Sequence, residues 1–292
     1  MSTHYIESRD GTQIAYERHG LSSGPVVVFA NGLTTARFFW GPMLSQLRSR
    51  AQLITWDYKG HGASAPAHTK AGCSIPALVE DMARVMDACG VETATLIGFS
   101  MGGQVILEAW RTLSDRIDAL VPILATPGRI FEHALKPVIG PTLHALVRFA
   151  PMPVWRAAFG GMGQIMRPDF AHDLGKVLGL LNDDAPRPVI KDYRTGFRRL
   201  DPPTLKAIIA GAHNHTTEDL LPTIKVPTLV VAGERDPFAP LWVGHKIHGA
   251  IPSAELMVVP DGGHVALVEQ PDAVNRAVVD FLEQHGMLPR LS

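Results

Sequence analysis

An α/β chain built on a mostly parallel sheet, with helices on both faces and an inserted helical segment, is the fold class this sequence predicts. Three observations carry that expectation. Strand-like and helix-like segments alternate through the first 127 residues and again after Pro227. Several of the strand-like segments, residues 25–30 foremost, are continuous β-branched runs of the kind buried on both faces of a parallel sheet. Between Pro127 and Pro227 the alternation stops, Pro and Gly become frequent, and apolar residues recur only at helical spacing. The expected division is a sheet unit formed by residues 1–127 and 222–292, with 128–221 as a helical cap inserted into it.

Residues 3–19 read as two short strands around Asp10-Gly11, a dipeptide that suits a tight hairpin because both residues tolerate positive φ. The apolar run 25–30 ends in the loop Asn31-Gly32-Leu33-Thr34-Thr35. Phe39, Trp40, Met43, Leu44 and Leu47 then recur at three- and four-residue spacing and predict a helix. Residues 53–56 give a strand that runs into a glycine-rich polar loop, Asp57 to Ser64. A helix over 75–88 follows, with Ser74 as N-cap, Pro76 in its first turn and Gly90 just past its end. The strand expected over 119–125 contains Pro122, which cannot donate to a ladder, so a bulge or a shortened strand is expected there. Strands over 228–233 and 255–259 and helices over 238–250 and 271–285 complete the alternation.

In the insertion, helical spacing covers 130–149, 154–160, 170–181, 189–199 and 203–210. Its apolar residues, among them Phe131, Leu135, Leu143, Phe149, Trp155, Phe159, Met162, Ile165 and Met166, exceed what short helices bury among themselves, so some should face the sheet unit or a ligand. Phe131, Trp155 and Phe159 are the candidate substrate-pocket residues. Few acids lie near these apolar stretches, which favours an apolar substrate moiety over a charged one.

Composition narrows the function classes. The chain has 292 residues, 46% hydrophobic and 19% charged, with a net charge of -1, which offers no basic footprint for nucleic acid. No G-x-x-x-x-G-K-[ST], no post-strand G-x-G-x-x-G and no H-E-x-x-H occurs, so no cofactor or metal is expected. His213-Asn214-His215 lacks a third ligand nearby and reads as a solvated helix end, and His61 as part of a turn. Cys73 and Cys89, the only cysteines, read as reduced packing thiols. Apolar tracts are broken well before the ~20 residues a membrane span needs, and the N-terminus shows no signal-peptide pattern. A cytoplasmic protein acting on a small molecule is the expectation, with oligomeric state open.

The motif around which the chain is organised is Gly98-Phe99-Ser100-Met101-Gly102, directly after the apolar run Ala94-Thr95-Leu96-Ile97 and before an apolar helix. A strand that turns at once into a helix needs small residues on both sides of the turning residue, and it puts the serine hydroxyl at a helix N-terminus, where developing negative charge is favoured. Taken alone, the pentapeptide is equally a glycine-bracketed turn with an incidental serine. Two later strand ends argue otherwise: 228–233 delivers Glu234-Arg235-Asp236, and 256–259 runs into Asp261-Gly262-Gly263-His264. A serine elbow with an acid and a histidine at neighbouring strand ends is the arrangement nucleophilic catalysis needs.

On these residues the sequence resembles the α/β-hydrolases over nearly its whole length, with the further match of Glu269-Gln270-Pro271 after Gly263-His264. The resemblance implies Ser100 as nucleophile, His264 as its base and Asp236 as the acid orienting the histidine, with Glu234 and Asp261 as acidic alternatives. It also implies an oxyanion hole made by the backbone N–H groups of Leu33 and Met101. The chain departs from the family at Asn31, where a histidine is usual, and the bracing of that loop is left open; the asparagine is shared with the resembling enol-lactonases. The expected activity is serine-dependent hydrolysis of carboxylic esters with an apolar, short-to-medium acyl or alcohol moiety. The rivals are a C–C bond hydrolase or enol-lactonase using the same triad, and an idle ligand receptor on the same scaffold.

Overall fold

A computed structural model describes residues 2–133, 139–165 and 195–290. Its centre is one eight-stranded sheet in the order β1-β2-β4-β3-β5-β6-β7-β8. The strands are β1 (His4–Glu7), β2 (Gln13–Gly20), β3 (Val26–Ala30), β4 (Gln52–Trp56), β5 (Ala94–Phe99), β6 (Ile117–Ile123), β7 (Thr228–Gly233) and β8 (Ala254–Val259). β1 and β2 pair antiparallel, as does β2 with β4, and every pair from β4 to β8 is parallel. The expected hairpin forms around Asp10-Gly11, with Gly11 at φ 83°.

The β-branched runs are continuous because both faces of the sheet are covered. Alternate residues of one strand enter opposite cores: Val28, Ile54 and Leu96 pack on one side with α2 (Ile75–Ala88), α3 (Met101–Leu113) and α8 (Leu241–Ala250). Val27, Leu53 and Ile97 pack on the other with α1 (Gly41–Leu47), α9 (Ala266–Glu269) and α10 (Pro271–Gln284). Ser74 caps α2 as expected, its hydroxyl accepting from the Ala77 N–H at 3.4 Å. The Phe39–Leu47 spacing resolves into a 3-10 turn, Arg37–Trp40, followed by α1.

The irregularity expected in this strand is present, but not at the proline. β6 is neither shortened nor bulged there: Pro122 sits in register with Gly98, and the irregularity falls four residues earlier, where Ala94 pairs with Ile117 and Thr95 with Ala119. The missing donor is accommodated on the other side, where β6 is registered to β7 only at Leu120 and Ile123, on either side of the proline.

In the inserted segment lie α4 (Ile130–His133), α5 (Ile139–Phe149), α6 (Met152–Ile165) and α7 (Pro202–His213). The helix expected over 170–181 and most of that over 189–199 lie outside the described residues, as do Leu135 and Met166. The two ends of the segment are strapped together: Gly128 and Thr216 form an antiparallel bridge, and Thr217 donates from its N–H and its hydroxyl to the Pro127 carbonyl at 2.7 and 2.8 Å. Phe131, Val147, Trp155, Phe197, Leu200, Leu205 and Ile209 form a third, smaller core, and Leu33 from the β3 loop packs against it.

Candidate active site

Chain order places the site. From β3 the chain steps outward to β4 and then returns to the other side of β3 as β5, so the loops after β3 and β5 leave the sheet side by side at a switch point. One loop carries Asn31 to Thr35 and the other begins at Ser100.

Ser100 is held at φ 53°, ψ -118°, a conformation costly for a residue with a Cβ. The turn is fixed by its own backbone: the Ser100 N–H donates to the Ile123 carbonyl at 2.9 Å, and its carbonyl accepts from Gly103 N–H at 2.9 Å. The glycines are required by close approach. A Cβ on Gly98 would lie 2.3 Å from the Gly102 carbonyl oxygen, and one on Gly102 would lie 2.0 Å from that of Ala30. Thus α3 can start directly against the end of β3.

His264 reaches Ser100 from the loop after β8, its Nε2 2.9 Å from the serine Oγ. Its Nδ1 lies 2.8 and 3.0 Å from the two carboxylate oxygens of Asp236. Because a carboxylate only accepts, Nδ1 carries the proton and Nε2 is left to accept from the serine hydroxyl. Asp236 is buried, and its Oδ1 also accepts from the N–H groups of Phe238 and Ala239 at 2.7 and 2.9 Å. The imidazole is flanked by Phe99 and Phe238, with ring centroids at 5.4 and 5.1 Å. The alternative acids are engaged elsewhere. Glu234 accepts from the Asp261 N–H at 2.8 Å, and Asp261 pairs with Arg235 at 2.5 Å with both side chains largely exposed.

The β3 loop is braced through Asn31, which is fully buried. Its Nδ2 donates to the Trp56 carbonyl at 2.6 Å, its Oδ1 accepts from Trp40 Nε1 at 2.8 Å, and its own carbonyl accepts from the Tyr58 hydroxyl at 2.7 Å. One side chain therefore ties the loop to the end of β4 and to the 3-10 turn that precedes α1. Leu33 lies two residues beyond this anchor, and Met101 opens α3. The sequence could not show the bracing, because Trp40, Trp56 and Tyr58 are brought together only by the β3–β4 pairing.

Further polar groups surround the site. Asp57, buried at the end of β4, takes the Arg37 guanidinium at 2.9 Å and the Ala63 N–H at 3.0 Å; burial pushes its carboxyl up against the opposing pull of Arg37. His61 lies in a turn, as expected, its N–H donating to the Tyr58 carbonyl at 3.0 Å, and it is wholly buried there. Its Nδ1 lies 2.9 Å from the Lys59 carbonyl, and burial pulls its pKa down to about 4. His213 ends α7 and Asn214 is exposed beyond it, as expected of a helix end, but the two histidines are half-buried and partnered rather than solvated. His213 lies against His144 and Phe131, with ring centroids at 3.8 and 5.3 Å. His215 pairs with Glu108 at 3.1 Å and with Gln104 at 2.9 Å, because α3 offers these two side chains beneath the segment's return.

The candidate pocket aromatics sit in the third core. Phe131 stacks on His144 at 5.7 Å; Trp155 meets Phe159 at 4.4 Å and donates from Nε1 to the Pro202 carbonyl at 2.7 Å; Phe159 stacks on Phe197 at 5.4 Å. Leu33 is where this cluster meets the β3 loop. Cys73 and Cys89 are free thiols, and burial raises Cys73 to about 11. Among the described residues, no group of three or more His, Cys, Asp or Glu is placed to hold a metal, and no helix is long and apolar enough to cross a membrane.

Comparison with known proteins gives a consistent family. The pattern of the alpha/beta hydrolase family matches residues 27–277. A protein of Caulobacter sp. (strain K31) that carries the provisional name carbamate hydrolase RutD is 27% identical over 276 residues, covering 91% of this chain and 94% of its own. Among solved structures, a hydrolase from Pseudomonas aeruginosa PA01 superposes with a TM-score of 0.75 at 25% identity, covering 96% of this chain and 98% of the other. An enol-lactonase from Burkholderia xenovorans LB400 does so with a TM-score of 0.75 at 23% identity, covering 96% and 99%, a likeness of fold.

Proposed function

The chain belongs to the alpha/beta hydrolase family, and from that premise we propose that it hydrolyses carboxylic esters bearing an apolar acyl or alcohol moiety through an acyl-enzyme on Ser100. The observation that carries the reading is the unbroken hydrogen-bonded run from Asp236 through His264 to a serine in a strained, helix-capping turn. Ser100 Oγ attacks the ester carbonyl as His264 Nε2 takes its proton, and Asp236 steadies the imidazolium. The N–H groups of Leu33 and Met101 receive the oxyanion, and Asn31 holds the first of them in position. His264 returns the proton to the departing alkoxide. Water, activated by the same imidazole, then releases the acid and frees the serine. The chemistry needs no cofactor.

In the same reading, residues 128–221 act as a cap, and Phe131, Trp155 and Phe159 line the side that selects the apolar moiety. The strap between Pro127 and Thr217 and the contact of Leu33 with the aromatic core support a segment fixed close to the oxyanion loop. The name carried by the Caulobacter relative supports carbamates as a second substrate class, since a carbamate carbonyl makes the same tetrahedral demand on the site.

Parallel turnover of p-nitrophenyl esters, aryl carbamates, enol-lactones and vinylogous diketones tests the assignment. Esters should give the highest kcat/KM, and a fluorophosphonate should label Ser100. Preference for carbamates, lactones or diketones by tenfold or more would move the substrate class without moving the triad. Absence of labelling would indicate a receptor.

A further inference from the structure

Residues 133–168 contain no Asp or Glu, although the whole chain carries 28 acids; they do contain Lys136, Arg148, Arg156 and Arg167. In the described part of this stretch, the corner between α5 and α6 is exposed in an unusual way. Its inward side chains, Val147 and Trp155, enter the third core. Its outward ones are also apolar: Phe149 is 72% exposed and Val154 55%, with Ala145, Pro151, Pro153, Ala157 and Ala158 exposed around them. The only exposed charges between residues 143 and 159 are Arg148 and Arg156, and the Arg148 guanidinium lies 5.4 Å over the Phe149 ring. A helix that needs only to cover a core presents polar residues to water, as α2 does with Glu80, Arg84 and Asp87 and α10 with Asp272, Arg276 and Asp280.

We propose that this corner docks on an anionic lipid–water interface. Phe149 and Val154 would enter the boundary between headgroups and acyl chains, and the two arginines would lie among the phosphates with their aliphatic stems along the apolar surface. Charge selects this occupant over a second copy of the chain. A twofold contact would set the same patch against itself and face Arg148 and Arg156 with their own like charges, with no acid among the described residues of the corner to answer them. Lipid supplies both the apolar depth and the negative charge. The proposal stands on surface composition alone and is independent of the substrate reading.

The test is co-sedimentation of the full-length protein with vesicles of phosphatidylcholine alone and of phosphatidylcholine mixed with phosphatidylglycerol, at low and high salt. The parent should bind the mixed vesicles more tightly and lose that advantage in high salt. Arg148→Gln with Arg156→Gln should weaken binding to the mixed vesicles by about 30-fold, since each cation near an anionic surface contributes about fivefold. Phe149→Ser with Val154→Ser should weaken binding to both vesicle types. Both pairs are at exposed positions, so turnover of a water-soluble ester should be unchanged. No vesicle binding by the parent, or binding unmoved by both pairs, would overturn the proposal. So would a parent dimer in sedimentation velocity that Phe149→Ser converts to monomer, because a second copy would then be what covers the patch.

Discussion

At the C-terminal edge of the sheet, Ser100, His264, Asp236 and Asn31 are each fixed by two or more directional hydrogen bonds of 2.6–3.0 Å, most of them to backbone groups or to one another. In the aromatic core of the inserted segment, Phe131, Phe159 and Phe197 are held by ring packing, with Trp155 Nε1 adding a bond to the Pro202 carbonyl. Directional bonds define one geometry and fail abruptly when a partner is removed; packed rings tolerate rearrangement and fail by degrees. The first arrangement suits chemistry, and the second suits selection among related apolar groups. Substitutions should therefore have large effects on rate at the edge and graded effects on preference in the aromatic core.

The largest effects should come from the hydrogen-bonded run. Ser100→Ala should lower kcat by about four to six orders of magnitude, with fluorophosphonate labelling abolished and the melting transition nearly unchanged. Asp236→Asn should cost about 10⁴-fold, whereas Glu234→Gln and Asp261→Asn should stay within a few-fold, because Glu234 accepts from the Asp261 N–H and Asp261 pairs with Arg235. Steady-state kinetics on one p-nitrophenyl ester separates these cases. If Asp261→Asn proves the damaging one, the geometry of the edge has been misread.

Asn31 is the next step down. Asn31→Ala removes an acceptor from Trp40 and a donor to the Trp56 carbonyl, so each buried group left unpaired should cost about 1–3 kcal/mol of stability. Kinetically, a loosened Leu33 N–H should lower kcat by up to about 10²-fold with KM little changed. Equal kcat in parent and variant would mean that the loop holds its shape without this side chain.

A third test concerns pH and stability rather than turnover. His61 is buried with its folded pKa pulled down to about 4 from an ordinary 6.5. The unfolded chain therefore takes up a proton that the folded chain refuses. Its contribution to stability is full above about pH 6.5 and is lost as pH falls toward 4, by about 3 kcal/mol in all. Urea unfolding at pH 7 and pH 4.5 should show this loss, and His61→Asn should reduce the difference between the two pH values. An unchanged pH dependence in the variant would assign the acid sensitivity to other groups.

The smallest and most graded effects belong to the aromatic core. Along a series from acetate to dodecanoate esters, each methylene that enters an apolar pocket should raise kcat/KM by up to about fourfold until the pocket is full. Phe131→Ala, Trp155→Ala and Phe159→Ala should each move the preferred length. A preference unmoved by all three would make the cluster a packed support for Leu33 and place selection elsewhere.

Much of this was legible in the sequence, and particular residues explain why. Strands β3 to β5 and β7 could be read because doubly buried strands must be continuous apolar runs. Ser74 could be placed as a cap because a helix start has local chemistry. The Ser100 turn was legible because close approach at Gly98 and Gly102 leaves no side-chain alternative. Pro122 was not, since its cost depends on which neighbouring strand lacks a donor's partner, and that is a property of the sheet. His213-Asn214-His215 was legible as a helix end, but the partners of its histidines were not, because Glu108, Gln104 and His144 come from elements distant in sequence.

What the sequence by itself determined is therefore the order of most elements, the positions of the tight turns and the serine, histidine and acidic side chains that the strand ends deliver to one edge of the sheet, all set by local sterics and by periodicity over a few residues. Only the tertiary structure decided which of three acids faces His264, that Asn31 ties the loop after β3 to Trp40, Trp56 and Tyr58, and that the α5–α6 corner turns apolar side chains both inward and outward. Each of those depends on distances between segments far apart in the chain, and such distances exist only once the sheet order and the packing of its covering helices are fixed.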